Sequence, residues 1–240
     1  MVVRGRLVAV EGASASGKTT LVRTAARRLG WRALPEAFDR LDPAPSLEFA
    51  SARELLRLEG TLLAEEARRY REARALCRRG HTVFADTGFL GPLTYTHGLV
   101  DLGRAPAAVG RAIERGTRSL LRKGALGIPD LTVYLETTVD ERTDRARRGA
   151  RQHPAGLHTR HEAVGRVERR FFEEVFPSAL PDRFRTLRGR SAPARLAREL
   201  AKLVEEAAPS PASRAEGLAL VSLLELPARA VRRKKVGPNR

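Results

Sequence analysis

Arg6-Leu7-Val8-Ala9-Val10-Glu11-Gly12-Ala13-Ser14-Ala15-Ser16-Gly17-Lys18-Thr19-Thr20 decides how this 240-residue chain is read. Leu7 to Val10 is the short continuous apolar run of a central parallel strand. Leu21, Val22, Ala25, Ala26 and Leu29 recur at helical spacing beyond the glycines. Between them, Gly12 to Thr19 matches G-x-x-x-x-G-K-[ST] without a gap. The glycines let successive N–H groups turn inward onto phosphate oxygens, and the following helix adds the positive end of its dipole. Gly12, Ala13, Ser14, Ala15, Ser16, Gly17, Lys18, Thr19 and Thr20 are therefore the expected ATP-binding loop. Lys18 would reach the β- and γ-phosphates and Thr19 would hold Mg²⁺. An ordinary glycine-rich turn explains the glycines but not a lysine and a hydroxyl directly after them.

A chain of this length holds one α/β domain with a full core. The lone cysteine, Cys77, excludes an intramolecular disulfide framework and suits a reducing compartment. No apolar run approaches the ~20 residues that span a bilayer, so the expectation is a soluble cytoplasmic protein. A net charge of +17 suits phosphorylated small molecules, nucleic acid or an anionic surface. Aromatic residues are only 5% and do not interleave with basic ones, which disfavours a single-strand binder. A homodimer is left open.

Further along, Trp31 to Leu34 is a second short strand, and Pro35 stops it so that Glu36 stands at its carboxyl end. In α/β sheets ligands gather at that side, so Glu36 could take a proton from an attacking hydroxyl or anchor a substrate. Asp42 to Ser46 is a proline-rich connector, with Ser46 placed to cap the next helix. Leu47 to Arg79 reads as two helices carrying Arg53, Arg68, Arg69 and Arg71 on a solvated face. His81 to Asp86 is the next strand and again ends in a carboxylate, the position that commonly organises Mg²⁺. Gly88 to Gly103, with Tyr95 and His97, shows no regular period.

Next come a helix over Pro106 to Lys123 and a buried strand over Pro129 to Glu136. Val139 to Arg148 is a helix dense in arginine, running into Gly149-Ala150-Arg151-Gln152-His153-Pro154. Such a segment is expected to close as a lid, over about 142–160, with Arg145, Arg148 and Arg151 on the transferred phosphoryl. His158 and His161 lack the partners of a metal site. A helix over Val167 to Phe176, a strand over Phe184 to Leu187 and a helix over Ala192 to Ala207 complete the domain, residues 1–207. Residues 208–240 add an apolar patch, Ala219 to Leu226, and a basic end at Arg232-Arg233-Lys234-Lys235.

Taken together these residues resemble the thymidylate kinases and the deoxynucleoside kinases, both P-loop proteins of the nucleoside-monophosphate-kinase type. The likeness lies in Val10-Glu11-Gly12 before the loop, Leu47-x-Phe49-Ala50-x-x-Arg53, Leu93-x-Tyr95 after Asp86, the strand Pro129 to Glu136 and Arg145-x-Arg147-Arg148-Gly149. It implies a three-layer α/β P-loop fold with a parallel sheet and an arginine-rich lid. It further implies transfer of the γ-phosphoryl of ATP, with Mg²⁺, to a small acceptor, first of all a pyrimidine nucleoside monophosphate. Glu36, Arg53, Asp86 and Tyr95 would then line the acceptor side. Two features depart from the pattern. Thr87 stands where the family has an arginine after the aspartate, and the stretch between Arg53 and the Asp86 strand is longer than the family's, which draws Arg53 away from the base site. Pro35-Glu36-Ala37 looks more like the carboxylate turn of the deoxynucleoside kinases. A hydroxyl acceptor is the alternative, and a non-catalytic ATP sensor or a nucleic-acid-linked ATPase are the rival classes.

Overall fold

The computed structural model describes residues 5–43, 49–149, 164–165, 168–207 and 211–224, apart from the side chains of residues 146, 148 and 149. Five parallel strands form one sheet: β1 (Leu7–Glu11), β2 (Arg32–Leu34), β3 (Val83–Asp86), β4 (Leu131–Glu136) and β5 (Phe184–Arg188), in the order β2-β3-β1-β4-β5. β1 lies at the centre, pairing Val10 with Asp86 on one side and with Val133 on the other. Its two neighbours come from opposite directions of the winding, so the crevice beyond its carboxyl end is the topological switch point where such sheets take ligands.

Strand alternation divides the core. Val8, Val10, Phe84, Leu131 and Val133 face α1 (Lys18–Leu29) and a helix over Pro193–Glu206. Leu7, Ala9, Val83 and Ala85 face the other layer. That layer contains α2 (Ala52–Arg78), α3 (Gly91–Asp101) and α4 (Ala107–Arg122). α5 (Val139–Gly149) leads out of β4. After it come a π-helical turn at Phe171–Val175, a short α6 (Phe176–Ala179), α7 (Pro193–Glu206) and α8 (Arg214–Leu223). Among the described residues no helix is long and apolar enough to cross a membrane.

Three elements differ from the sequence expectation. The stretch before β3 is one 27-residue helix, not two, because Gly60 is its only glycine and no proline interrupts it. Its N-cap is Ser51, whose hydroxyl accepts from the Glu54 N–H at 3.2 Å; Ser46 lies outside the described residues. Gly91 to Asp101 is helical, since Pro92 sits in the first turn where it is tolerated, and the buried Thr94, Thr96 and His97 disguise the apolar stripe. Lastly, the π turn lets the adjacent Phe171 and Phe172 both enter a ring cluster with Tyr134, Phe176 and Phe184. Of the apolar patch near the C-terminus, Ala219 to Leu223 fall on α8, where Leu220 and Val221 are fully buried and a Ser213–Glu216 capping box sets the helix start; Leu226 lies outside the described residues.

α2 also carries a buried acid with no chemistry assigned to it. Glu59 is 1% exposed and its Oε2 has no hydrogen-bond partner. Burial pushes its carboxyl up to about 8 from an ordinary 4.5. Between those values the folded chain holds a proton that the unfolded chain has released, so stability falls as pH rises through the window. Glu59→Gln is expected to gain roughly 2–4 kcal/mol over the parent at pH 8.5 and almost nothing at pH 5. Urea unfolding at the two values checks this; an equal effect at both would show that Glu59 does not titrate there.

Candidate functional site

Gly12 to Thr19 wraps the carboxyl end of β1 and opens α1. Gly12 has φ +147, and a Cβ there would lie 2.7 Å from the Leu135 carbonyl oxygen, so glycine is required. Ala15 is left-handed at φ +61 and Gly17 at φ +99, an alternation that leaves amide N–H groups converging on a common point. The loop is braced by the Ser16 N–H donating to the Ala13 carbonyl at 3.1 Å. Lys18 folds over it, with Nζ donating to the carbonyls of Gly12 at 2.7 Å and Ala13 at 3.2 Å.

Across the crevice, Asp86 ends β3 and is 2% exposed. The Thr19 hydroxyl hydrogen-bonds to its carboxylate, while Asp86 Oδ1 is buried with no partner. A hydroxyl and a free carboxylate oxygen at this spot are the hard oxygen donors that Mg²⁺ takes. No group of three or more metal-ligating side chains occurs among the described residues. A cation held here would complete its shell with water and phosphate oxygens, as Mg²⁺ commonly does.

Glu36 follows β2 into the same crevice. Burial pushes its carboxyl up to about 7; the Lys18 ammonium opposes the rise, and Asp86 and Asp39 add to it. Glu11 and Glu66 lie in the same field. Glu11 accepts from the Gly88 N–H at 2.6 Å, and burial, with Glu168 adding, raises it to about 8. Glu66 is raised to about 7 by burial against the opposing Arg69. Lys18, Thr19, Glu36 and Asp86, singled out from the sequence, are thus brought together around one crevice.

Sequence reasoning missed Arg69. Its spacing among other arginines of α2 points to a solvated face, yet it is fully buried. One guanidinium nitrogen pairs with Glu66 and the other donates to the main-chain carbonyls of Asp86 at 3.0 Å and Thr87 at 3.4 Å, while the group lies 5.3 Å over the Phe89 ring. Its signal was one of position: Glu66 and Arg69 are three apart on α2 and face the strand end they hold. The turn they hold is strained. Thr87, a β-branched residue, has φ +64, and Gly88 comes so near that a Cβ would lie 2.5 Å from Glu11 Oε1. Arg69→Met would leave Glu66 buried without its partner and release that turn, at an expected cost of about 3 kcal/mol. Arg69→Met with Glu66→Gln should recover part of the loss. Urea unfolding of both variants tests this, and no recovery in the double variant would argue against the pairing.

The remaining candidates lie apart or are engaged otherwise. Arg53 is exposed in the first turn of α2, ~24 Å along the helix from Arg69 at 1.5 Å per residue. Tyr95 packs against the small cluster of Leu55, Leu99, Ala105, Val109 and Val164. Arg145 donates to the Ser16 carbonyl and, at 2.7 Å, to the Gly189 carbonyl, so α5 is tied to the back of the phosphate-binding loop. Arg142 is buried and Arg147 exposed. The Arg148 side chain, Arg151, His158, His161 and the basic end at 232–235 lie outside the described residues.

The AAA domain family matches residues 7–166. No curated protein matches the chain in sequence. In fold, the chain is similar to deoxyadenosine kinase from M. mycoides with bound dATP, at TM-score 0.63 and 12% identity, covering 84% of this chain and 100% of that one. It is also similar to thymidylate kinase from Candida albicans, at TM-score 0.59 and 16% identity, covering 84% of this chain and 92% of that one. The parallel five-stranded sheet flanked by helices is that of the P-loop kinases.

Proposed function

This chain belongs to the AAA domain family of P-loop proteins, and we propose that it transfers the γ-phosphoryl of ATP to a hydroxyl of a small, nucleoside-like acceptor. The observation that carries the reading is the convergence of Glu36 with Lys18 and Asp86 in one crevice. The loop amides and Lys18 would hold the donor phosphates. Thr19 and Asp86 would hold Mg²⁺, whose charge would offset that of the donor phosphates. Glu36, poised near neutrality, would take the proton of the attacking hydroxyl. Positioning and charge neutralisation supply most of the acceleration in such transfers.

The charge balance favours an acceptor without its own phosphate. Glu11, Glu36, Glu66, Asp86 and Glu168 share the crevice with Lys18 and Arg69. Lys18 is committed to the donor and Arg69 to Glu66 and the β3 carbonyls. Burial leaves Glu11, Glu36 and Glu66 partly or largely protonated near neutrality, so what a nucleoside monophosphate meets here is less repulsion than the lack of a cation: Lys18 and Arg69 are already taken, and Thr87 supplies none. The hydroxyl acceptor is therefore better supported than the monophosphate expected from the sequence. The fold likeness to a deoxyadenosine kinase, a protein named for a nucleoside substrate, supports the same reading.

A panel of nucleosides, sugars and nucleoside monophosphates, each with ATP and Mg²⁺ and read by phosphorus NMR of the products, tests it. The expected result is a new phosphomonoester on an uncharged or cationic hydroxyl compound. Transfer confined to the monophosphates would overturn the acceptor assignment. ATP binding with no transfer to any member would favour the sensor class.

A further inference from the structure

A second cavity lies at the opposite end of the sheet from the phosphate-binding loop. It has a volume of about 400 Å³ and is walled by Tyr70, Arg71, Arg74 and Arg78 of α2, by Gly127 and Asp130 before β4, and by Arg214 at the start of α8. Arg71, Arg74 and Arg78 are spaced i, i+3, i+7, so they share one face of α2. Arg214 reaches the same cavity from a different element.

The acids near this cavity are already committed. Asp130 receives Arg74 Nη1 on both oxygens at 2.7 and 2.9 Å, the Leu7 N–H at 2.9 Å and the Ala212 N–H at 3.3 Å. Arg74 is further fixed by the Tyr70 hydroxyl at 3.1 Å and the Ile128 carbonyl at 3.2 Å. Glu216, in the first turn of α8, is bound by Arg183 and by its own capping box. Arg71, Arg78 and Arg214 are exposed and have no acidic partner among the described residues. Elsewhere on α2 the pattern differs: Glu65 bridges Arg40 and Arg68, and Glu66 takes Arg69. The cavity therefore has three uncompensated guanidinium groups around a wall whose single carboxylate is saturated.

The walls are also shaped by glycine. A Cβ on Gly127 would lie 2.3 Å from the Tyr70 hydroxyl, and one on Gly124 would lie 2.9 Å from a guanidinium nitrogen of Arg214. The tyrosine that orients Arg74 thus sits where glycine leaves room for its ring, and the Arg214 guanidinium lies directly over Gly124.

We propose that this cavity binds a compact polyphosphate group, free or carried on a nucleotide, as a site separate from the P-loop. Guanidinium groups match phosphate oxygens in geometry as well as charge, and three of them converging from two helices suit an anion of several charges better than a single carboxylate. The cavity is too small for a folded partner. The basic end of this chain, like in charge, is no candidate occupant.

The test titrates inorganic pyrophosphate, followed by calorimetry, into the full chain carrying Lys18→Ala so that the P-loop is silenced. One pyrophosphate per chain is expected. Adding Arg71→Glu and Arg78→Glu should weaken it at least tenfold, and the milder Arg71→Gln and Arg78→Gln pair should weaken it in the same direction. Arg27→Glu and Arg198→Glu make the same change of charge on the opposite face of the sheet and should alter the affinity less than threefold. ADP binding more tightly than pyrophosphate would identify a nucleotide as the occupant, and equal affinity a bare polyphosphate group. Absence of saturable binding in the Lys18→Ala chain, or equal weakening by both charge-reversal pairs, would overturn the proposal. So would an oligonucleotide that binds through these arginines with affinity growing with its length, the mark of a nucleic-acid surface.

Discussion

Lys18→Ala is expected to lower phosphoryl transfer by roughly a thousandfold, while the chain unfolds within about 1 kcal/mol of the parent. The two halves of this expectation come from different parts of the structure. Core contacts around the loop are made by Val8 and Val10 of β1 and by Leu21, Val22 and Ala25 of α1, all essentially buried, whereas Lys18 is only half-buried. Its ammonium rests on the Gly12 and Ala13 carbonyls, contacts that water can replace. Charge developing on the β- and γ-phosphates has no such substitute, because a preorganised cation in a crevice of low dielectric is worth far more than the same cation in water. Steady-state assays with the best acceptor of the panel, beside urea unfolding of both chains, separate the effects. Equal turnover at saturating ATP would remove Lys18 from the mechanism, and a large stability loss would mean that the ammonium holds the loop itself.

How much of this was legible in the sequence depended on whether the signal was local. The phosphate-binding loop was, since its residues are contiguous and each is dictated by backbone geometry. Glu36 and Asp86 were legible as strand ends, because Pro35 stops one strand and a carboxylate closes the other. Arg69 was not. From the sequence it is one arginine among several on a long helix, and only the pairing of β3 beside β1 reveals that its face meets the carbonyls of Asp86 and Thr87. The contacts of Arg145 were hidden for the same reason. Its neighbours suggested a basic lid, and only the fold shows it donating to the carbonyls of Ser16 and Gly189, which are far apart in sequence. Long-range hydrogen bonds to main-chain carbonyls leave no periodic trace, and an arginine that makes them looks like any other. The α3 helix was obscured differently, by Gly91, Pro92 and Gly98, which carry loop statistics but sit where a first turn and a close packing contact tolerate them.

Glu36→Gln is expected to reduce transfer to a hydroxyl acceptor by roughly 10²–10⁴-fold while changing ATP affinity little. The amide keeps the volume and the hydrogen-bonding reach but cannot accept the proton of the attacking oxygen. The pH dependence identifies the group. Burial raises the Glu36 carboxyl to about 7 in the free protein. The basic form therefore disappears as pH falls below that value, and kcat/KM should drop about tenfold per unit on the acid side and level off above it. Two other carboxyls titrate nearby, Glu66 near 7 and Glu11 near 8, so a single profile is not enough. Glu66→Gln should keep the acid limb, since Glu66 faces Arg69 and not the acceptor, whereas Glu36→Gln should flatten it along with the rate. A Glu36→Gln chain that retained both rate and limb would move the proton acceptor to water or to another carboxylate of the crevice, with Glu36 left as an anchor. If instead the limb vanished only in Glu66→Gln, the titration would belong to the buried Glu66–Arg69 pair that holds the turn after Asp86, and the pH dependence would report loss of that turn, not loss of a base.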